Sequence, residues 1–161
     1  MAESNKLSET QKAFLQFATV WAVVERARNL ELARIGLNMP QAEVLFCLKV
    51  SKEPMTPMKL SRMMHKQPHT VSALVHRMEA QGLLSTKRDM ARKNWLRVSL
   101  TKKGEEAVKK WANAHEVPDA VFSLSKKEAD ALHSITRELH QRGLEALRKL
   151  QRNPFDEPLF W

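Results

Sequence analysis

The sequence predicts a mainly α-helical fold that contains one small β-hairpin. Residues 71–78 place valine, leucine, valine and methionine at i, i+3, i+4 and i+7, the spacing of one helix face. Residues 96–100 instead alternate apolar and polar side chains, which is the period of a half-buried strand. Ser8 and Ser125 are each followed three residues later by Gln or Glu, the pattern of a helix-starting capping box. The length of 161 residues fits a single domain.

The first helix is predicted from Ser8 to about Leu32. One face carries Phe14, Phe17, Ala18, Trp21 and Val24, while Leu15, Val20 and Val23 lie off that face. A helix that is apolar on more than one face must be buried on more than one side. In so short a chain, this pattern indicates a partner subunit.

Three shorter helices are predicted next. Gly36 and Asn38 form a break, and Pro40 starts a helix that runs to about Val50 with Val44, Leu45 and Leu48 inward. Thr56 and Pro57 start a third helix, whose apolar residues are Met58, Leu60, Met63 and Met64. Gln67 and Pro68 open a fourth, which ends at Gly82. Opposite its inward stripe, the fourth helix presents a small, polar face: His69, Ser72, Ala73 and His76, flanked by Thr70 and Arg77.

The hairpin and two further helices complete the prediction. Strands near residues 84–88 and 96–100 flank a polar, basic tip at residues 89–94. Thr101 caps a fifth helix to about Ala114, and Pro118 breaks the chain. The sixth helix starts at Ser125, and the tail 153–161 is expected to be irregular. The inward residues of the sixth helix are predicted to be Leu132, Ile135, Leu139, Leu147 and Leu150.

The net charge of +9 is confined to the middle of the chain. Residues 54–110 hold 13 Lys or Arg and four Asp or Glu, whereas the rest of the chain holds 14 of each sign. A confined basic block favours a polyanion such as nucleic acid, since each neutralised phosphate releases condensed counterions. The alternative is a solvated face that aids solubility.

Several classes of protein are disfavoured. No segment is long enough to span a membrane or resembles a cleaved leader, which favours a cytoplasmic location. Phosphate-cradling glycine loops, nucleophile elbows and HExxH are missing, so we expect no enzyme. No cofactor or metal site is expected, since Pro68 separates His65 from His69.

Other chemistry-bearing side chains are expected to have packing roles. Cys47 is predicted to be an inert buried thiol rather than an oxidant sensor. Trp21 and Trp111 are expected to pack rather than line a ligand cavity. The methionines Met55, Met58, Met63 and Met64 are expected to form adaptable core.

Two helices joined by a turn and followed by a basic hairpin give the order of a winged helix-turn-helix. The fourth helix would be the recognition helix in the major groove, and the hairpin would be the wing. The residues of this segment resemble the MarR family of winged-helix transcriptional regulators. The matching words are Thr56-Pro57 with Leu60-Ser61, Thr70-Val71-Ser72 with Leu74-Val75, Arg77-Met78-Glu79, Gly82-Leu83-Leu84, Lys87-Arg88-Asp89, and Val98-Ser99-Leu100-Thr101 with Gly104.

The resemblance implies a homodimer that binds a pseudo-palindromic DNA operator. Residues 39–101 would be the DNA-binding core, and residues 1–38 and 102–152 would supply dimerisation helices, among them Phe14, Phe17, Trp21, Leu132, Leu139 and Leu147. Many family members are repressors released by a small aromatic or anionic effector, or by cysteine oxidation. The family wing carries Asp-x-Arg, whereas this chain has Asp89-Met90-Ala91-Arg92, so Arg92 and Lys93 are rival wing-tip residues.

The predicted DNA-binding residues come from both helices of the motif and from the wing. They are Thr56, Lys66, Gln67, His69, Thr70, Ser72, His76, Arg77, Lys87, Arg92 and Lys93. Two other functions stay open at this point. The basic face could dock an acidic protein as an adaptor module, or it could bind RNA, against which the lack of exposed aromatic platforms argues.

Overall fold

In the computed structural model, which describes residues 7–51, 53–89 and 95–150, seven helices and one antiparallel hairpin follow one another along the chain. The hairpin lies between the fourth and fifth helices, as the sequence predicts. The elements are α1 Glu9–Ala33, α2 Met39–Val50, α3 Pro57–Met63, α4 Pro68–Ala80, β1 Leu84–Asp89, β2 Trp95–Leu100, α5 Lys102–Asn113, α6 Glu116–Phe122 and α7 Lys126–Leu150.

The predicted caps are confirmed. The capping boxes of α1 and α7 form at Ser8 and Ser125, and Thr56 and Thr101 accept backbone N–H bonds at the starts of α3 and α5. A further capping box at Asn38, paired with Gln41, starts α2 and was not predicted. Because capping satisfies backbone N–H groups that a helix cannot use itself, these short polar residues fix where each helix begins.

The core lies where α2, α3, α4, α5 and the hairpin meet. Its fully buried members include Val44, Leu45, Leu60, Val71, Val75 and Met78. The hairpin pairs Thr86 with Val98 and Arg88 with Leu96, and Val98 N–H also donates to the Met55 carbonyl at 2.9 Å. At the start of α5, a Cβ on Gly104 would lie 2.1 Å from the Leu83 carbonyl oxygen, so glycine allows the helix to approach the hairpin.

The prediction that Pro118 breaks the chain was wrong. Pro118 is the third residue of α6, a seven-residue helix that we did not expect. Proline is tolerated in the first helical turn because the backbone N–H that it lacks has no partner there. A proline therefore marks the first turn of a helix as readily as the end of one.

The stripe predicted to face inward on the last helix is not buried within this chain. No residue of α7 is buried, and Leu132 is half-buried while Ile135, Leu139 and Leu147 are exposed. The described part of the chain therefore leaves this apolar face of α7 uncovered. The first part of α1 is likewise uncovered, with Phe14, Phe17 and Trp21 exposed, whereas Leu32 near the end of α1 is buried in the core.

One other packing prediction needs correction. Met58 was expected in the core but is 47% exposed, because it lies on the outer side of α3. Trp21 is 50% exposed in the single subunit, so its packing role at the dimer junction stays a prediction. Met55 is buried, Met63 and Met64 pack against the core, and the Trp111 ring lies 5.5 Å from the Phe46 ring, as predicted.

Candidate nucleic-acid interface

The turn between α3 and α4 has the hydrogen bonds of a helix-terminating motif. Lys66 N–H donates to the Ser61 carbonyl at 3.0 Å, and His65 N–H donates to the Arg62 carbonyl at 3.2 Å. His65 takes the left-handed conformation, with φ of 48°, at the position where glycine is usual. This turn sets α4 across α3 with its inward stripe buried.

The polar face of α4 is open to solvent, as predicted. Val71, Leu74, Val75 and Met78 are buried on the inner side. On the other side His69, Thr70, His76 and Arg77 are exposed, and Ser72 is half-buried. Gln67, at the helix start, is exposed and makes no side-chain capping bond. These six side chains can therefore meet a ligand without unfolding any part of the subunit.

Two of the predicted DNA-binding residues have partners inside the chain. The Thr56 hydroxyl accepts the Lys59 N–H at 3.1 Å, and the Lys66 ammonium forms an ion pair with Glu43. The Lys59 ammonium is also paired, with Glu53 at 2.5 Å. Part of the basic charge in this region is thus balanced locally.

The structure places the side chains of the first wing strand, β1, on two faces. Successive residues of a strand point to opposite faces. Arg88 and Thr86 share the face that lines a groove of about 680 Å³ with His76 and Leu96, whereas Lys87 alternates to the other face. Arg88 was not among the predicted DNA-binding residues. The alternation of side chains along a strand is the sequence signal that puts Arg88 on the opposite face from Lys87. Arg92 and Lys93 lie outside the described residues.

Glu79 joins the recognition helix to the wing. Its carboxylate oxygen Oε1 accepts the Thr86 N–H at 2.8 Å and the Thr86 hydroxyl at 2.6 Å. The Thr86 hydroxyl, the Thr86 amide and the nearby His76 together hold the pKa of Glu79 below its usual value. The carboxylate is therefore ionised, and its hydrogen bonds to Thr86 hold it in place.

A second groove adjoins the first along the same face of α4. It has a volume of about 490 Å³ and runs between the starts of α3 and α4 and the wing strand β2. Its lining includes Thr56, Arg62, Ser72 and Leu96. Ser72 lies one helical turn before His76, and Leu96 lines both grooves, so the two grooves together separate this face of α4 from the wing.

Neither the cysteine nor a group of metal ligands adds a reactive centre to this surface in the described part of the chain. Cys47 is 3% exposed, which confirms its predicted burial, and burial raises the pKa of its thiol to about 11, which disfavours a reactive thiolate. Among residues 7–51, 53–89 and 95–150, no three His, Cys, Asp or Glu side chains are grouped as metal ligands. Within the same residues, no helix is long and apolar enough to cross a membrane.

Comparison with known proteins agrees with this architecture. A model of the MarR family matches residues 35–91, which span α2, α3, α4 and the first strand of the wing, β1. An organic hydroperoxide resistance transcriptional regulator of Bacillus subtilis is 27% identical over 142 residues, covering 84% of this chain and 93% of that protein.

Solved structures of other proteins share the fold. An organohalide-sensing transcriptional regulator, RdhR, in its 2,4-dichlorophenol-bound form superposes with a TM-score of 0.82 at 22% identity, covering 100% of this chain and 96% of that one. The S. aureus MepR–DNA complex gives a TM-score of 0.74 at 16% identity, with 85% of this chain and 99% of that one covered.

The family match lies on the helix-turn-helix and the first wing strand, and the likeness in fold extends beyond it to the flanking helices. Over residues 35–91 the chain is thus similar to the MarR family, and the described residues share the fold of solved transcriptional regulators.

Proposed function

We propose that this protein is a cytoplasmic homodimeric repressor that binds a pseudo-palindromic operator and responds to a small ligand. Residues 39–101 form the DNA-binding core, and the helices on either side of it form the dimer. The recognition helices of two subunits enter successive major grooves about 34 Å apart. The other predicted DNA-binding residues act with them from the start of α3, the turn before α4, and the wing.

One observation carries this proposal: an exposed polar helix face stands beside a cationic wing on the same side of the subunit. His69, Thr70, His76 and Arg77 offer donors and acceptors at the size of base edges. Arg88 adds a positive charge on the wing side of the groove, where it can contact a DNA phosphate. The exposed apolar faces of α1 and α7 supply what a second subunit would cover.

The effector that fits this chain is one that binds without forming a covalent bond. The Bacillus subtilis relative is named for organic hydroperoxide resistance, and attack on a peroxide requires an accessible thiolate. The single cysteine, Cys47, is buried with a pKa of about 11, so it is unsuited to that reaction. An aromatic or anionic molecule, comparable with the 2,4-dichlorophenol bound by RdhR, is the class that we propose.

The test is a selection of DNA fragments by the purified protein from a genomic pool, followed by gel-shift measurement of the enriched duplex and a scrambled copy. We expect the enriched duplex to bind tighter by about a thousandfold or more at physiological salt. Equal affinity for both duplexes contradicts the proposal, and co-purification of an acidic protein with DNA indifference favours the adaptor function instead. Repeating the selection with phenolic acids and with an organic hydroperoxide separates the two effector classes.

Arg77 provides the sharpest single test of the DNA-facing surface. The R77A variant should weaken operator binding by about 1–3 kcal/mol if the guanidinium contacts a base, and should then relax specificity at one position. A phosphate contact instead weakens all duplexes equally and lowers the salt slope by about 1. R137A, which removes the same charge from an exposed position on α7, is the control and should leave binding unchanged in samples that light scattering shows to be dimers. Equal effects of the two changes contradict the assignment.

A further inference from the structure

Glu79 is an acidic residue in a segment of the chain whose other charged residues are mostly basic. Residues 54–110 carry 13 basic and four acidic side chains, and Glu79 is the acid on the recognition helix. A carboxylate close to DNA repels phosphates and weakens non-specific binding. Its presence here therefore requires a compensating role.

The hydrogen bonds of Glu79 are directed at one residue of the wing. Both bonds, to the Thr86 amide and to the Thr86 hydroxyl, end on the same carboxylate oxygen, Oε1. The other oxygen, Oε2, lies 4.0 Å from the His76 Nδ1. Hydrogen bonds to an ionised acceptor are shorter and stronger than those between neutral groups, so this contact resists thermal opening.

Thr86 lies where the hairpin leaves the body of the subunit. Leu83 and Leu84 before it are buried, Thr86 is half-buried, and Lys87 and Arg88 after it are exposed. On the partner strand, Val98 is held to Met55 by a backbone bond of 2.9 Å. The base of the wing is thus fixed on one side by that bond and on the other side by Glu79.

We propose that Glu79 is a positioning residue for DNA recognition. By holding Thr86, it fixes the distance between the base-contacting face of α4 and the cationic wing, across the groove that His76 and Arg88 line. This inference rests on the proposed function. A wing without this contact keeps its charge, so non-specific binding persists, but helix and wing no longer engage one duplex in a fixed register.

The test compares four variants that differ in whether they keep the contact. E79A removes both bonds and T86V removes the hydroxyl bond, whereas E79Q keeps an acceptor oxygen and T86S keeps the hydroxyl. The measured quantity is the ratio of affinities for the enriched duplex and its scrambled copy. This ratio cancels the general gain in DNA affinity that loss of a negative charge gives. E79A should lower the ratio about tenfold, T86V by a smaller factor, and E79Q and T86S should stay within about twofold of wild type.

Amide hydrogen exchange at Thr86 checks the contact without DNA. Exchange should be faster in E79A and close to wild type in E79Q, in samples that are fully folded at the same temperature. An affinity ratio in E79Q as low as in E79A shows that the charge acts rather than the hydrogen bonds, and overturns the inference. Four variants with the wild-type ratio overturn it as well. A wild-type protein that prefers no duplex contradicts the proposed function itself, which is a different failure.

Discussion

His65 is the residue whose backbone and side chain are both in unfavourable surroundings. Its left-handed conformation, with φ of 48°, is one that glycine adopts at lower cost. Both ring nitrogens are buried without a hydrogen-bond partner among the described residues, and the ring lies 5.6 Å from that of His140 on α7. The helix-turn-helix turn is thereby in contact with the last helix, and this contact favours the neutral imidazole.

The surroundings of His65 make stability depend on pH. Burial, and then the charge of His140, lower the pKa of His65 below its ordinary value of 6.5. The unfolded chain therefore binds a proton more readily than the folded chain, and stability falls as the pH drops below about 6.5 toward the folded-state pKa. We expect the melting temperature to decrease between pH 7.5 and pH 5.5, taken as about one unit either side of the ordinary histidine value.

Two variants separate the causes of this pH dependence. H65N keeps a side chain that tolerates the left-handed conformation and should flatten this part of the pH profile. H140Q removes only the smaller cause, the charge of the neighbouring imidazole, and should keep most of the slope. An H65N variant whose melting temperature falls as steeply as that of wild type contradicts the assignment.

Single residues show how far the sequence could predict the interface. The exposed face of α4 followed from the spacing of Val71, Leu74, Val75 and Met78, since a buried stripe leaves the opposite face outside. The partners of Lys66 and Glu79 could not be predicted, because Glu43 and Thr86 lie on other elements. Pairing between elements depends on tertiary packing, which periodicity does not report.

At the scale of elements, α1 is tied to the junction between α5 and α6 by a buried ion pair. Arg28 pairs with Glu31 and also donates to the Ala114 carbonyl, while Val117 N–H donates to Glu31 at 3.4 Å. Glu31 is 5% exposed. Burial alone raises the pKa of Glu31, but the hydrogen bond and charge of Arg28, with the backbone N–H groups of the junction, more than offset it and lower the pKa.

Removing one partner of this pair should be more harmful than removing both. R28M leaves the Glu31 carboxylate buried without its counter-charge, which should cost about 3–5 kcal/mol of unfolding free energy. The double variant R28M/E31M replaces the pair with apolar side chains and should lose less than R28M alone. Urea unfolding at one fixed protein concentration measures both losses. A double variant that is less stable than R28M shows that the pair itself stabilises α1.

Element boundaries were predictable where a cap or a left-handed glycine marks them. Ser8, Thr56, Thr101, Ser125 and Gly82 all lie at the ends of helices or turns, as their chemistry requires. The bounds of α6 were missed because its N-cap, His115, makes no side-chain capping bond, and a proline in the first turn resembles a break. Local signals thus predict helices that begin with a cap and miss helices held by tertiary contacts.

At the scale of the whole molecule, a single subunit leaves many apolar side chains of α1 and α7 in contact with water. Phe17 is 58% exposed and Val20 61% exposed, on a helix whose polar residues do not form one continuous face. Ile135 and Leu139 repeat the pattern on α7. Contiguous apolar surface of this kind marks a site of association in a protein that is otherwise well packed.

The last prediction follows from that surface. F17E places a carboxylate in the middle of the apolar face of α1, and a two-fold dimer that covers this face would bury two such carboxylates without counter-charges, which is unfavourable. Light scattering at micromolar concentration should give the mass of a single subunit for F17E and twice that mass for wild type. V50E changes an exposed apolar residue on α2, outside both candidate dimer helices, and should remain a dimer.

DNA binding links this assembly to recognition. A dimer that binds two half-sites together has a higher affinity than one subunit on one half-site, typically by about a hundredfold to ten-thousandfold. This gain comes from linking the two subunits and needs no additional contact within either half-site. F17E should therefore lose operator affinity by a factor of that size while its α4 face stays intact, and V50E should bind as wild type does. A wild-type protein that is a single subunit at micromolar concentration, yet binds its selected duplex tightly, contradicts the dimer and leaves the recognition helix and wing to act alone.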